Sequence, residues 1–137
     1  MIITNFRDEL LESKILTRYH AFTGKQEHIV HLYSKMALCF FPEKRECEIT
    51  ALILNGITDL LLVSDVLYLK EKYDIPVIPL ISIQRYGSDV MQELYENGVR
   101  TAVLVEPGKD TAGDIVELIL HGRSDTLAKV TYGIRNE

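Results

Sequence analysis

A chain of 137 residues, 47% apolar and 26% charged, is long enough to bury a core as one domain and has the composition of a soluble globular protein. Its formal net charge of −5, with no Lys/Arg stripe, argues against a phosphate-backbone binder, so no nucleic-acid partner is expected through this domain. No apolar run approaches the about 18 residues of a membrane span, and Met1-Ile2-Ile3-Thr4 lacks the basic start of a signal peptide. A cytoplasmic location without membrane contact is the expectation.

Residues 2–4 suit a short first strand. Asn5, Asp8 and Glu9 follow, with N-cap chemistry and acidic groups for a first helical turn. Leu10, Leu11, Ile15, Leu16 and Tyr19 recur at helical spacing, which predicts a helix over about 7–19, broken at Thr23-Gly24. Ile29, Val30, Leu32, Tyr33 and Met36 form the apolar side of an amphipathic segment and predict helix to about Ser34. The continuous apolar run from Met36 to Phe41 suits a prolonged helix or a strand. Phe and Cys favour the strand, over 36–40, and Pro42 terminates either. Residues 43–48 are charged and read as solvated; 47–54 read as a helix closed by Asn55-Gly56.

Residues 60–63 predict a buried strand, and 66–73 a short helix with Val66, Leu67 and Leu69 inward. Asp74 turns the chain into a second apolar run, 75–83, whose Pro79 has no donor for a sheet ladder, so the regular strand should end near Leu80. Gly87-Ser88-Asp89 opens a helix through Tyr95, and Asn97-Gly98 closes it. Residues 101–105 form the next strand; Asp110 or Thr111 then caps a helix through Leu120. In the tail, Leu127, Val130, Tyr132 and Ile134 alternate loosely with Lys129, Thr131 and Arg135, fitting an edge strand or an arm paired with another subunit. Apolar runs near positions 62, 78 and 103, separated by helix-period segments, predict a parallel sheet with crossover helices in one α/β domain spanning 1–137.

In open parallel sheets, ligands sit beyond the carboxyl ends of the strands. That rule nominates Asn5, Asp8 and Glu9, then Ser64 and Asp65, then residues 82–85 and 106–109. Of these, Ser64, Asp65, Ser82, Arg85 and Glu106 are the candidate ligand-binding residues, with the planar fork of Arg85 suited to a carboxylate or phosphate. Strand-end loops are polar in any case, because they cap helices and meet water. Asp8, Glu9 and Asp65, together with Glu106, form a candidate acidic cluster for a divalent cation, magnesium or calcium, although Asp65 serves equally well as an N-cap. His28 and His31, followed by Cys39, do not make a four-ligand zinc set. Cys39 and Cys47 read as reduced thiols outside any Cys-x-x-Cys pair. No glycine-rich phosphate loop and no Gly-x-Ser-x-Gly elbow is present, so no catalytic residue is nominated and no enzyme is expected.

The segments over 59–120 resemble the second half of a response-regulator receiver domain. Asp59-Leu60-Leu61-Leu62-Val63-Ser64-Asp65 resembles the third strand, whose end carries the phosphoacceptor aspartate. Ile75-Pro76-Val77-Ile78-Pro79-Leu80-Ile81-Ser82 resembles the fourth, ending in a small hydroxyl residue. Glu96-Asn97-Gly98-Val99 and Val103-Leu104-Val105-Glu106-Pro107 resemble the glycine turn, fifth strand and Lys-Pro pair, while Asp8 and Glu9 stand where the acidic metal-binding pair stands. The resemblance implies a three-layer α/β/α, flavodoxin-like fold with a mostly parallel sheet of about five strands, to which the tail, where its own pattern forms strand and not an intersubunit arm, adds a C-terminal edge strand. Glu106 replaces the lysine that contacts the phosphoryl group, Ser64 rather than Asp65 aligns with the acceptor, and the stretch from Asp65 to Pro76 is short.

Those departures imply an atypical receiver-like domain that is not phosphorylated, of the kind heading pilus-assembly ATPases and other regulators. Such a module works by docking on a protein partner or by homodimerisation, through the helix at 87–95, the strand at Val103 and the helix at Ile115. A second resemblance rests on 59–63, Lys72-Tyr73-Asp74-Ile75-Pro76-Val77-Ile78 and Tyr86-Gly87-Ser88-Asp89-Val90. It is to the sensory domain of propionate-type transcriptional activators and implies a small-molecule sensor, with Ser64-Asp65 standing where that family has an Arg-Gly-Gly loop.

Overall fold

The computed structural model describes residues 1–40, 48–57 and 61–134. β1 (Ile2–Thr4) leads into α1 (Glu9–Thr23), capped by Asp8 and ended by Gly24 at φ 71°. β2 (Ile29–His31), α2 (Lys35–Phe40), β3 (Ala51–Leu54), α3 (Val63–Tyr73) and β4 (Val77–Ser82) follow. A 3-10 turn (Ile83–Arg85), α4 (Asp89–Glu96), β5 (Val103–Val105), α5 (Thr111–His121) and α6 (Asp125–Tyr132) complete the elements of the described residues.

The five strands form one parallel sheet in the order β2-β1-β3-β4-β5. Strict alternation divides its side chains between two cores. Ile2, Ile53, Ile78, Leu80 and Val103 face α1 and α5. Ile3, Leu52, Leu54, Val77 and Ile81 face the layer built by α2, α3, α4 and α6. Sheet order and layering are those of the flavodoxin-like, three-layer α/β/α fold. Each fully buried aliphatic side chain in these cores contributes about 1.5–3 kcal/mol.

Several elements differ from the sequence reading. The segment at 29–34 is not helical but begins as edge strand β2, half-buried along its length. Residues 36–40 are helix, because Ser34 Oγ accepts from Ala37 N at 3.0 Å and starts a turn that buries Leu38 against α3. The central strand is Ala51–Leu54, fully buried, where a helix was expected. In the 60–63 run Leu61 makes only an isolated bridge to Ile57, and α3 already begins at Val63; Leu60 lies outside the described residues, as do Cys47 and the rest of 43–47. Both runs are aliphatic, and Ala51–Leu54 is the one that pairs with β1 and with β4 among the described residues.

β4 continues past Pro79 to Ser82. Pairing with β5 begins one residue later, at Leu80, so the missing donor falls before the first rung of that ladder. The tail is a helix rather than an edge strand. Ser124 Oγ caps it by accepting from Leu127 N at 3.2 Å, Gly133 ends it at φ 67°, and Ala128 and Tyr132 are buried beside α4. A side chain on Gly133 would meet the backbone of Gly87 at 3.1 Å, so the end of α6 sits directly on the turn before α4.

Candidate functional site

The carboxyl ends of β1, β3, β4 and β5 share one rim. Asn5, 6% exposed, clamps the first two: its Nδ2 donates to Asn55 O at 2.8 Å and its Oδ1 accepts from Asn55 N at 2.7 Å. Asp8 Oδ1 accepts from Leu11 N at 3.1 Å, while Asp8 N donates to Glu12 Oε2 at 2.6 Å. The other oxygen of Glu12 lies 2.6 Å from His31 Nε2, and the His31 ring stacks on Tyr33 with centroids 5.8 Å apart. Arg18 pairs with Asp110 at 2.5 Å, joining α1 to the start of α5. Arg18, followed by the backbone N–H of Gly113, holds the Asp110 carboxyl below its usual range.

This rim encloses a concavity of about 470 Å³. Leu11, Leu80 and Val105 supply apolar wall, and Arg7, Asp8, Asn55, Ser82 and Thr111 supply polar edge. Of the residues nominated from sequence, Asp8 and Ser82 meet here, and Ser82 Oγ accepts from Gln84 N at 3.3 Å. The others are elsewhere. Ser64 is exposed in the first turn of α3, and Asp65 accepts from Leu62 N at 2.8 Å and pairs with Lys35 at 3.2 Å. Arg85 donates to Ile57 O at 2.7 Å, Glu106 pairs with Lys109 at 2.9 Å, and Glu9 pairs with Arg7 at 2.9 Å.

Asp8, Glu9 and Asp65 do not assemble into the acidic pair and acceptor that the receiver resemblance implies for magnesium. Among the described residues no group of three or more His, Cys, Asp or Glu side chains is arranged to hold a metal ion. Sequence reasoning missed Asn55, because Asn-Gly after an apolar run signals a helix end as readily as a strand end. The retrievable signal was the pure aliphatic run Ala51–Leu54 immediately before it.

A second concavity of about 550 Å³ follows the outer edge of β5 between α5 and α6. Val103, Leu104 and Leu118 form its floor, with Tyr86, Leu127 and Val130 at the mouth; these last three are 52%, 54% and 65% exposed. The approach to β5 is sealed from this side. Tyr132 Oη donates to Val99 O at 2.5 Å and accepts from Ala102 N at 2.9 Å, and Arg123 Nη1 donates to Arg100 O at 3.0 Å and Ala102 O at 2.7 Å. Burial pushes the Tyr132 hydroxyl up to about 12 and the Arg123 guanidinium below its usual value.

Fold, rim and groove together define an open parallel α/β protein of flavodoxin-like architecture. Comparison of the chain with protein-family models, curated proteins and solved structures finds no match. No helix among the described residues is long and apolar enough to cross a membrane.

Proposed function

We propose that this domain is a non-catalytic regulatory module, receiver-like and not phosphorylated, that works by binding protein through docking or homodimerisation. The observation that carries the reading is the apolar mouth of the β5 groove. Tyr86, Leu127 and Val130 lie side by side there, with Tyr86 Oη donating to Val130 O at 3.1 Å, and remain at least half exposed. Contiguous exposed apolar surface of this kind marks interaction sites, whereas isolated exposed side chains need no explanation. The residue following β3 is Asn55, and an amide there is no phosphoryl acceptor, which supports the unphosphorylated form of the reading.

Incubation with acetyl phosphate and magnesium should leave the intact mass unchanged; stoichiometric modification at Asp8 or Asp65 would refute it. Light scattering over a wide concentration range separates the two modes of action, a strict monomer removing homodimerisation. The 470 Å³ rim concavity, apolar inside and polar at its edge, favours a second reading as a small-molecule sensor. A thermal-shift screen of small organic acids and nucleotides tests it, and uniform lack of stabilisation eliminates it.

A further inference from the structure

The sealing of β5 by α6 stops one residue short. Backbone groups of alternate residues in a strand point the same way. Ala102 turns its N–H and C=O outward, to Tyr132 and Arg123, whereas Val103 and Val105 belong to the rungs facing β4. The N–H and C=O of Leu104 therefore also face outward, into the groove, and among the described residues neither has a hydrogen-bond partner.

The walls of the groove differ in character. On the α5 side Asp114 and Glu117 are exposed and make no ion pair among the described residues, while Lys109 is neutralised by Glu106 at 2.9 Å. On the α6 side stand Leu127 and Val130.

We propose that the open end of β5 is a strand-addition site for an extended segment of a partner protein, with basic side chains facing α5 and aliphatic ones facing α6. The inference deepens the interaction-module reading and rests on it. An added strand pairs its backbone with Leu104, and its side chains alternate between the two walls, which is how β-augmentation divides affinity from specificity. Lysine or arginine at alternate positions meets the carboxylates of Asp114 and Glu117; valine or isoleucine between them covers Leu127 and Val130. Arg123 and Tyr132 set the register by closing the edge up to Ala102.

The test uses three capped seven-residue peptides added to isotope-labelled full chain and followed by amide NMR. One alternates valine with lysine; the second has glutamate for lysine; the third is the first, N-methylated on alternate residues so that the edge it presents cannot pair. The proposal expects slowed hydrogen exchange at the Leu104 amide and shifts across Val103–Val105 with the first peptide. Binding should be at least tenfold weaker with the other two, and Glu117→Lys should reverse the lysine-over-glutamate preference. Equal binding of the N-methylated peptide, or shifts confined to α5 and α6, overturns strand addition. Failure of every peptide while the chain self-associates through Leu127 and Val130 also overturns it, naming a second copy as occupant and leaving the interaction-module reading standing. Failure of every peptide with strict monomer behaviour overturns it as well and removes the homodimer form of that reading.

Discussion

Asn5 ties the fold to the rim, and replacing it has a calculable effect. Its amide makes two hydrogen bonds to the backbone of Asn55 at 2.8 and 2.7 Å, from a side chain only 6% exposed. Each such bond is worth about 1 kcal/mol net, and more where the abandoned partner is not rehydrated. Asn55 itself is exposed, so water reaches at least part of the vacated site. Asn5→Ala should therefore destabilise the domain by about 2 kcal/mol, with an unchanged denaturant slope. Asn5→Asp keeps the acceptor for Asn55 N but turns a carboxylate oxygen on Asn55 O. It should be as destabilising as alanine at neutral pH and recover in acid, where the protonated carboxyl donates again. Urea unfolding at pH 7 and pH 4 measures both. An alanine variant within about 0.5 kcal/mol of the parent, or an aspartate variant with no acid recovery, would refute the clamp.

Other outcomes follow from buried polar contacts. The ammonium of Met1 is held by Glu27 at 2.6 Å, and Thr50 Oγ1 donates to the same oxygen at 2.6 Å. Burial raises the Glu27 pKa, but hydrogen bonds from the ammonium and Thr50 outweigh it, so the carboxyl ends below its usual 4.5. The stability this adds is present above pH 4.5 and is lost as pH falls through the lower folded value. Glu27→Gln should accordingly flatten the acid limb of a stability–pH curve and cost about 1.5–3 kcal/mol at neutrality; an unaltered acid limb would show that the pair contributes nothing. Tyr132→Phe strands Val99 O and Ala102 N and should cost about 2 kcal/mol by urea unfolding, no change meaning that water replaces the hydroxyl. With the folded Tyr132 pKa at about 12 against 10.0 unfolded, its contribution is complete below pH 10 and disappears as pH rises toward 12, which ultraviolet titration of the phenolates follows.

Much of the α/β pattern was legible because local chemistry carries it. Asp8, Ser88 and Asp110 cap α1, α4 and α5 through bonds to Leu11, Met91 and Gly113, and the apolar positions of α3 recur at helical spacing. The 29–40 segment was misread because Ile29 and Val30 fit either period in isolation; pairing with Ile2 and Ile3 makes them strand. The tail was misread because Val130, Tyr132 and Ile134 stand at every second position and satisfy a loose alternation, whereas Leu127, Val130 and Ile134 recur at helical spacing. Ser124 and Gly133 at its two ends were the better guide, since caps bind backbone whatever the burial. The candidate site suffered most, because a strand shifted from 60–63 to Ala51–Leu54 moves the rim from Ser64 and Asp65 to Asn55.

Side-chain patterning alone thus dictated an α/β chain with parallel strands, since hydrophobic period and helix caps act over a few residues. Which aliphatic run became the middle strand, and which polar residues gathered at its end, was settled by contacts between distant parts of the chain. Ala51–Leu54 sits between β1 and β4 because it can bury both faces while Asn5 closes the backbone beyond it. No local window contains those partners.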